Sequence, residues 1–302
     1  AKVATDKKEI AALIRDHNLP RECIPTQWLN EPSVWEALLE KMPMTAMVRN
    51  LAKMTAVGVI APMSQGTGKV LAELANVERI RKSRLHPMAL LIALRTYASG
   101  HGDKGKLAWT PVPQVIDALN GAFYAAFANV EPTGKRWLLG IDVSGSMSSA
   151  MIGGTNLSAC EAATAMAMVT AHVEPQYHFH AFADTFRPLP ISKGMRLDDA
   201  LRHTKNQNFG GTDCSLPMRY ALEKKIPIDI FLVATDNETW AGGIHPCQAL
   251  REYREKTGIV AKLIVCGMTS TGFTIADPED AGSLDVVGFD AATPGVMAEF
   301  VR

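Results

Sequence analysis

The chain lacks any apolar run long enough to cross a bilayer. Its longest stretches, 88–94 and 228–234, fall well short of the roughly 20 residues that a membrane-spanning helix needs, so no membrane span is expected. Paired cysteines are missing too. The five present, Cys23, Cys160, Cys214, Cys247 and Cys266, are odd in number, widely spaced and without a CxxC pair. That fits neither a disulfide framework nor a zinc ribbon and points to a reducing, intracellular compartment. The N-terminal AKVATDKKEIAALI has no unbroken apolar core, so secretion is not indicated. A cytoplasmic location is expected, extending to the nucleus in a eukaryotic source. Net charge is also absent, since 31 Lys and Arg balance 31 Asp and Glu. The balance conceals a split: residues 1–136 hold 18 basic against 12 acidic side chains, and residues 137–302 hold 13 against 19. A basic half is thus followed by an acidic one.

What is present is a chain of 302 residues, 47% hydrophobic and 21% charged, enough to bury a substantial core in two domains. In the first half apolar residues recur at helical spacing: Val34, Leu38, Leu39 and Met42, then Met47, Val48, Leu51 and Met54, then Leu90, Leu91 and Leu94. Pro43, Pro62, Pro87 and Pro111 punctuate these segments near expected first turns, where a missing N–H does little harm. The pattern predicts antiparallel helices of HEAT-like type over 1–133, although no fixed repeat period is visible. From Arg136 the rhythm changes. Runs at 137–141, 177–183, 228–234 and 261–266 read as buried strands, and 157–171, 216–223 and 246–256 as helices between them. Such alternation predicts an open, mostly parallel α/β sheet over 134–302, with Glu131-Pro-Thr-Gly134 as the boundary.

In an open α/β sheet, ligands sit beyond the carboxyl ends of the strands. Three segments place oxygen atoms there: Asp142-Val-Ser144-Gly-Ser146 after the first strand, the Gly-rich loop with Gly210-Gly211-Thr212, and Thr235-Asp236 after the third. Carboxylate and hydroxyl oxygens are hard ligands suited to Mg²⁺, with Mn²⁺ or Ca²⁺ as alternatives, and neither His nor Cys lies in these loops to favour zinc. On its own, the Asp142 segment could equally be a turn whose small polar side chains cap the next helix. A phosphoryl-accepting Asp142 would want a second aspartate two residues on, where this chain has Ser144, and neither serine lies in a GxSxG elbow. No catalytic residue is therefore expected.

In the basic half the densest positive cluster is Arg79, Arg81, Lys82, Arg84 and His86, extended by Arg95, Lys104 and Lys106. Such a run is either a solvated helix face or a phosphate-contacting surface with salt-sensitive affinity. Ser64-Gln-Gly66-Thr-Gly68-Lys69-Val70 looks briefly like a phosphate loop, but it lacks the first glycine, has Val70 where Ser or Thr should hold Mg²⁺ and follows no strand. His178, His180 and Cys214 are better explained by packing or surface placement than by metal ligation. Trp240, in NETWAGG, either lines the rim of the proposed site or packs on the loop glycines.

The D-x-S-x-S segment, the GGT threonine and the later strand-TD resemble the metal-ion-dependent adhesion site of von Willebrand factor A (vWA) domains. The resemblance implies Asp142, Ser144, Ser146, Thr212 and Asp236 as the five ligand positions, the hydroxyls coordinating directly and the aspartates partly through water. More narrowly, VEPTGKRWLLGIDVSGSM, GGTDCSLPM, TDNETWAGGIHP and AKLIVCGMTSTGFTIADPED are similar to the C-terminal domain of the Ro 60 kDa ribonucleoprotein family. VWEALLEKMPMTAMVRNLAKMT and RLHPMALLIALRTYASGHGDKGKLAW are similar to the TROVE module that precedes it. This likeness implies a non-catalytic RNA-binding protein for small noncoding Y RNAs and the 3′ ends of misfolded RNAs. A partner protein that offers a carboxylate to the metal is the alternative. Members of that family are usually much longer, with more helical repeats before the part matched here.

Overall fold

The computed structural model describes residues 6–102, 105–153, 155–205, 211–236, 241–268, 274–288 and 292–302. The chain divides into two compact units, Ala1–Asn129 and Val130–Arg302. Among the described residues no helix is long and apolar enough to cross a membrane.

The first unit is helical: α1 (Lys7–His17), α2 (Pro32–Glu40), α3 (Met44–Ala56), α4 (Gln65–Ala75), α5 (Val77–Ser83), α6 (Pro87–Ser99) and α7 (Pro113–Ala125), with short 3-10 turns between or after them. Local chemistry sets the helix starts. The Asp6 carboxylate accepts the N–H groups of Lys8 and Glu9, Ser64 accepts that of Thr67, and α2, α6 and α7 each begin with proline in the first turn, where that residue fits. The apolar positions read from the sequence, among them Val34, Met54, Leu90 and Leu91, are buried. Within this core the Tyr97 hydroxyl lies 3.0 Å from Thr55 Oγ1 and accepts the Val112 N–H.

The second unit contains β1 (Arg136–Asp142), α8 (Gly145–Ser149), α9 (Ala159–Val173), β2 (Gln176–Phe182), β3 (Phe186–Pro188), α10 (Leu197–Lys205), α11 (Leu216–Glu223), β4 (Ile230–Thr235), α12 (Pro246–Thr257), β5 (Lys262–Gly267), β6 (Ser283–Val287) and α13 (Thr293–Val301). The sheet order is β3-β2-β1-β4-β5-β6. All neighbours run parallel except the β2–β3 hairpin. This is a vWA-like sheet with helices, and four of its strands are those expected from apolar runs. The edge strands β3 and β6 carry no such run, because each is only partly buried. Five of the nine residues of α10 are charged or His, which hides the buried positions Leu197, Ala200, Leu201 and Thr204.

The entry to β1 is pinned within this unit. Buried Glu174 accepts the Thr133 N–H at 2.7 Å, the Thr133 hydroxyl at 2.9 Å and the Gly134 N–H at 3.0 Å. Residues 130–133, placed with the helical segment on sequence, accordingly sit with the second unit. Gly140 serves close packing: a Cβ there would come within 2.9 Å of Pro217 on α11 and 3.2 Å of Phe182.

Candidate functional site

β1 is apolar from Trp137 to Ile141 because a central parallel strand is covered on both faces. It then delivers Asp142, which is wholly buried, to the carboxyl edge of the sheet. From β1 the chain moves outward to β2 on one side, and from β4 to β5 on the other. The carboxyl ends of β1 and β4 therefore flank the point where the winding reverses, the usual ligand position of such sheets.

The Asp142 carboxylate accepts the Ser144 N–H on Oδ1 and the Thr235 hydroxyl on Oδ2, each at 2.8 Å. Burial pushes the Asp142 carboxyl up to about 6, against these hydrogen bonds that favour the charged form, and the nearby Asp236 carboxylate adds a smaller push. Among the described residues no Lys, Arg or His forms an ion pair with Asp142. Ser144 stands at the N-cap of α8, yet its hydroxyl caps no N–H. Its Oγ lies 3.0 Å from Ser146 Oγ. The capping turn thus accounts for one Asp142 contact but leaves both serine hydroxyls facing each other.

Asp236 follows Thr235, whose hydroxyl lies 3.4 Å from Asp236 Oδ1. Thr212 is buried, and its carbonyl accepts the Ala241 N–H at 3.1 Å, which ties the Thr212 loop to the segment after β4. Among the described residues no three His, Cys, Asp or Glu side chains cluster. A cation held here would therefore rest on two carboxylates and several hydroxyls, a hard donor set. Thr235 was read from sequence only as part of the Thr235-Asp236 segment, not as the residue that holds Asp142. Its signal was a hydroxyl ending a strand that is otherwise apolar and fully buried.

The basic candidates are scattered in role. Arg79 is committed to Glu73 (Nε to Oε2 2.7 Å, Nη1 to Oε1 2.8 Å). His86 caps α6 through Nδ1, which accepts the Met88 N–H, and burial holds its imidazole down to about 4, so it is neutral near pH 7. Arg81 and Lys82 are exposed on α5, and Arg84 is exposed at its left-handed C-cap with φ 52°. These three make no ion pair among the described residues. Arg95 is half-buried on α6, about 12 Å along the helix from its start, and Lys106 is exposed in the loop that follows. Lys104 and Trp240 lie outside the described residues.

A family model described as the Ro60 vWA domain matches residues 136–301, and one described as the TROVE domain matches residues 17–96. The chain is similar to "RNA-binding protein RO60" of Caenorhabditis elegans, at 47% identity over 294 residues, covering 97% of this chain and 45% of that protein. It is also similar to the protein of the same name from Deinococcus radiodurans, at 42% identity over 294 residues, covering 97% of this chain and 55% of that one. The crystal structure of the Deinococcus radiodurans RO (RSR) protein matches with a TM-score of 0.93 at 42% identity, over 99% of this chain and 60% of that chain. This chain spans about half the length of the curated relatives it matches. On the family-model match over residues 136–301, more than half of its length, the chain belongs to the Ro60 family.

Proposed function

We propose that this chain is a non-catalytic RNA-binding protein of the Ro type, taking small noncoding Y RNA or the single-stranded 3′ ends of misfolded RNA for stability or quality control. The observation that carries the reading is the similarity over 97% of the chain to two proteins named as RNA-binding. The exposed cations Arg81, Lys82 and Arg84, which make no ion pair among the described residues, supply the phosphate contacts. Three neutralised phosphates on a single strand give a slope of log affinity against log salt of about −2. The free cysteines fit a reducing compartment, the cytoplasm. Titration of a labelled RNA bearing a single-stranded 3′ tail at rising salt tests the reading. Affinity falling with that slope supports it, and no binding at low salt refutes it for this chain.

The second unit, in this reading, holds a divalent cation, Mg²⁺ before Mn²⁺ or Ca²⁺, on Asp142, Ser144, Ser146, Thr212 and Asp236. A buried carboxylate without a counter-ion among the described residues and two serine hydroxyls 3.0 Å apart support it. The cation would supply positive charge to Asp142 and an open position for an acidic group. Ser144 and Asp142 orient the edge of the site, and Thr235 holds the Asp142 carboxylate in place. A protein partner presenting a carboxylate is the second reading. It predicts that Asp142→Ala abolishes partner capture while RNA affinity stays intact.

A further inference from the structure

We infer that Asp213 is the positioning residue of the cation site, setting Thr212 and the segment after β4 in register without itself being a ligand. The inference rests on the cation reading above. Asp213 is 5% exposed, and its carboxylate is already committed. Oδ1 accepts the Ser215 N–H at 2.9 Å and the Ser215 hydroxyl at 2.6 Å, and Oδ2 accepts Arg219 Nη1 at 3.3 Å. Its backbone N–H donates to the Ala183 carbonyl at 2.9 Å, just past the end of β2.

The segment after β4 closes over the same carboxylate. Gly242 has φ +101°, and a Cβ there would lie 2.5 Å from the Asp213 carboxyl carbon and Oδ1. Only a residue without a side chain can approach so near. One residue earlier, the Ala241 N–H reaches the Thr212 carbonyl, and a Cβ on Gly211 would meet the Ala241 Cβ at 3.0 Å. Thr212 is therefore held from both sides: Asp213 anchors it to β2 and the first turn of α11, and the 241–242 segment lies across it. That segment begins five residues after Asp236 in the chain, and the Asp213 carboxylate sets how closely it approaches the Thr212 loop. Groups in this supporting role typically change metal affinity by about 10- to 100-fold when altered.

The test is calorimetric titration of the full chain with MnCl₂ and with MgCl₂, alongside metal-free melting curves. Asp142→Ala serves as the site control. Asp213→Asn keeps the volume and an acceptor for Ser215 but loses the Arg219 ion pair. Because Arg219 is half exposed, that loss shifts the metal-free melting temperature by less than about 3 °C. The expected result is cation binding about 10- to 100-fold weaker than in the wild type. Gly242→Ala changes no charge and presses on the same carboxylate, so it weakens binding as well. Should it fail to fold, Gly211→Ala applies a gentler push to the same segment through Ala241, one residue before Gly242. Unchanged affinity in Asp213→Asn overturns the inference. Loss in Asp213→Asn with none in the glycine variant also overturns it, since charge alone would then explain the effect. No heat from the wild type, or binding that Asp142→Ala leaves intact, sinks the cation reading itself.

Discussion

Replacing His180 with phenylalanine isolates the energetic cost of one buried imidazole. His180 is 4% exposed on β2, its ring lies parallel to Phe186 at 4.4 Å and tilted against Tyr220 at 4.8 Å, and neither ring nitrogen has a hydrogen-bond partner among the described residues. Burial, with a smaller contribution from His178, pushes its pKa from 6.5 down to about 4. The unfolded chain therefore takes up a proton at a higher pH than the folded one does. The stability that depends on neutral His180 is complete above pH 6.5 and is lost as pH falls towards 4. Linkage gives a loss of about 2 kcal/mol between pH 8 and pH 5. His180→Phe keeps the stacking, removes two unpaired polar atoms and removes the proton uptake. The variant should match or exceed wild-type stability at pH 8 and gain about 2 kcal/mol on it at pH 5. Urea unfolding at both values measures this, with hydrogen exchange in β1, β2 and β4 reading the second unit apart from the first, where neutral His86 acts in the same direction. If both proteins lose the same stability between pH 8 and pH 5, His180 is not held neutral by burial and the reasoning fails.

Other expectations are more direct. Mg²⁺ at 100 times its dissociation constant should stabilise the wild-type second unit by about 2.7 kcal/mol, and Asp142→Ala should show no such shift in a thermal melt. Gly140→Ala drives a methyl group against Pro217 and should cost about 1–3 kcal/mol in chemical unfolding. Glu174→Ala strands three donors at Thr133 and Gly134. A loss of about 1–3 kcal/mol is expected, visible as faster hydrogen exchange at the start of β1. The triple change Arg81→Ala, Lys82→Ala, Arg84→Ala should flatten the salt dependence of RNA binding by about 2 in slope, whereas Arg79→Ala, already tied to Glu73, should barely alter it.

What the sequence could and could not show follows from where the contacts lie. β1, β4 and β5 are buried on both faces and write themselves as near-continuous apolar runs, and β2 is buried over its last four residues. β3 and β6 are edges, half solvated, and leave no such trace. Asp142, Ser144 and Ser146 stand close together in one loop and so were legible as a group. Their support was not: Thr235 reaches Asp142 across 93 positions, and the Asp213–Gly242 approach joins two loops that are separate in the chain. Charge misled in the helical half for a related reason. Arg79 and His86 count as basic letters, but the fold pairs one with Glu73 and buries the other, which leaves a smaller cationic face than composition implies.

The two ends of the sheet have a consequence for solubility. A bare edge of a parallel sheet offers unpaired backbone groups to any passing strand, including that of another copy of this chain. β3 reverses direction, is only three residues long and ends on Pro188, which has no N–H to give. β6 carries Asp285 in the middle of its five residues, opposite Val265. Each edge thus carries a feature that discourages self-stacking. Lengthening β3 through Pro188→Val, or neutralising Asp285, is expected to raise the tendency of this unit to pair edge to edge.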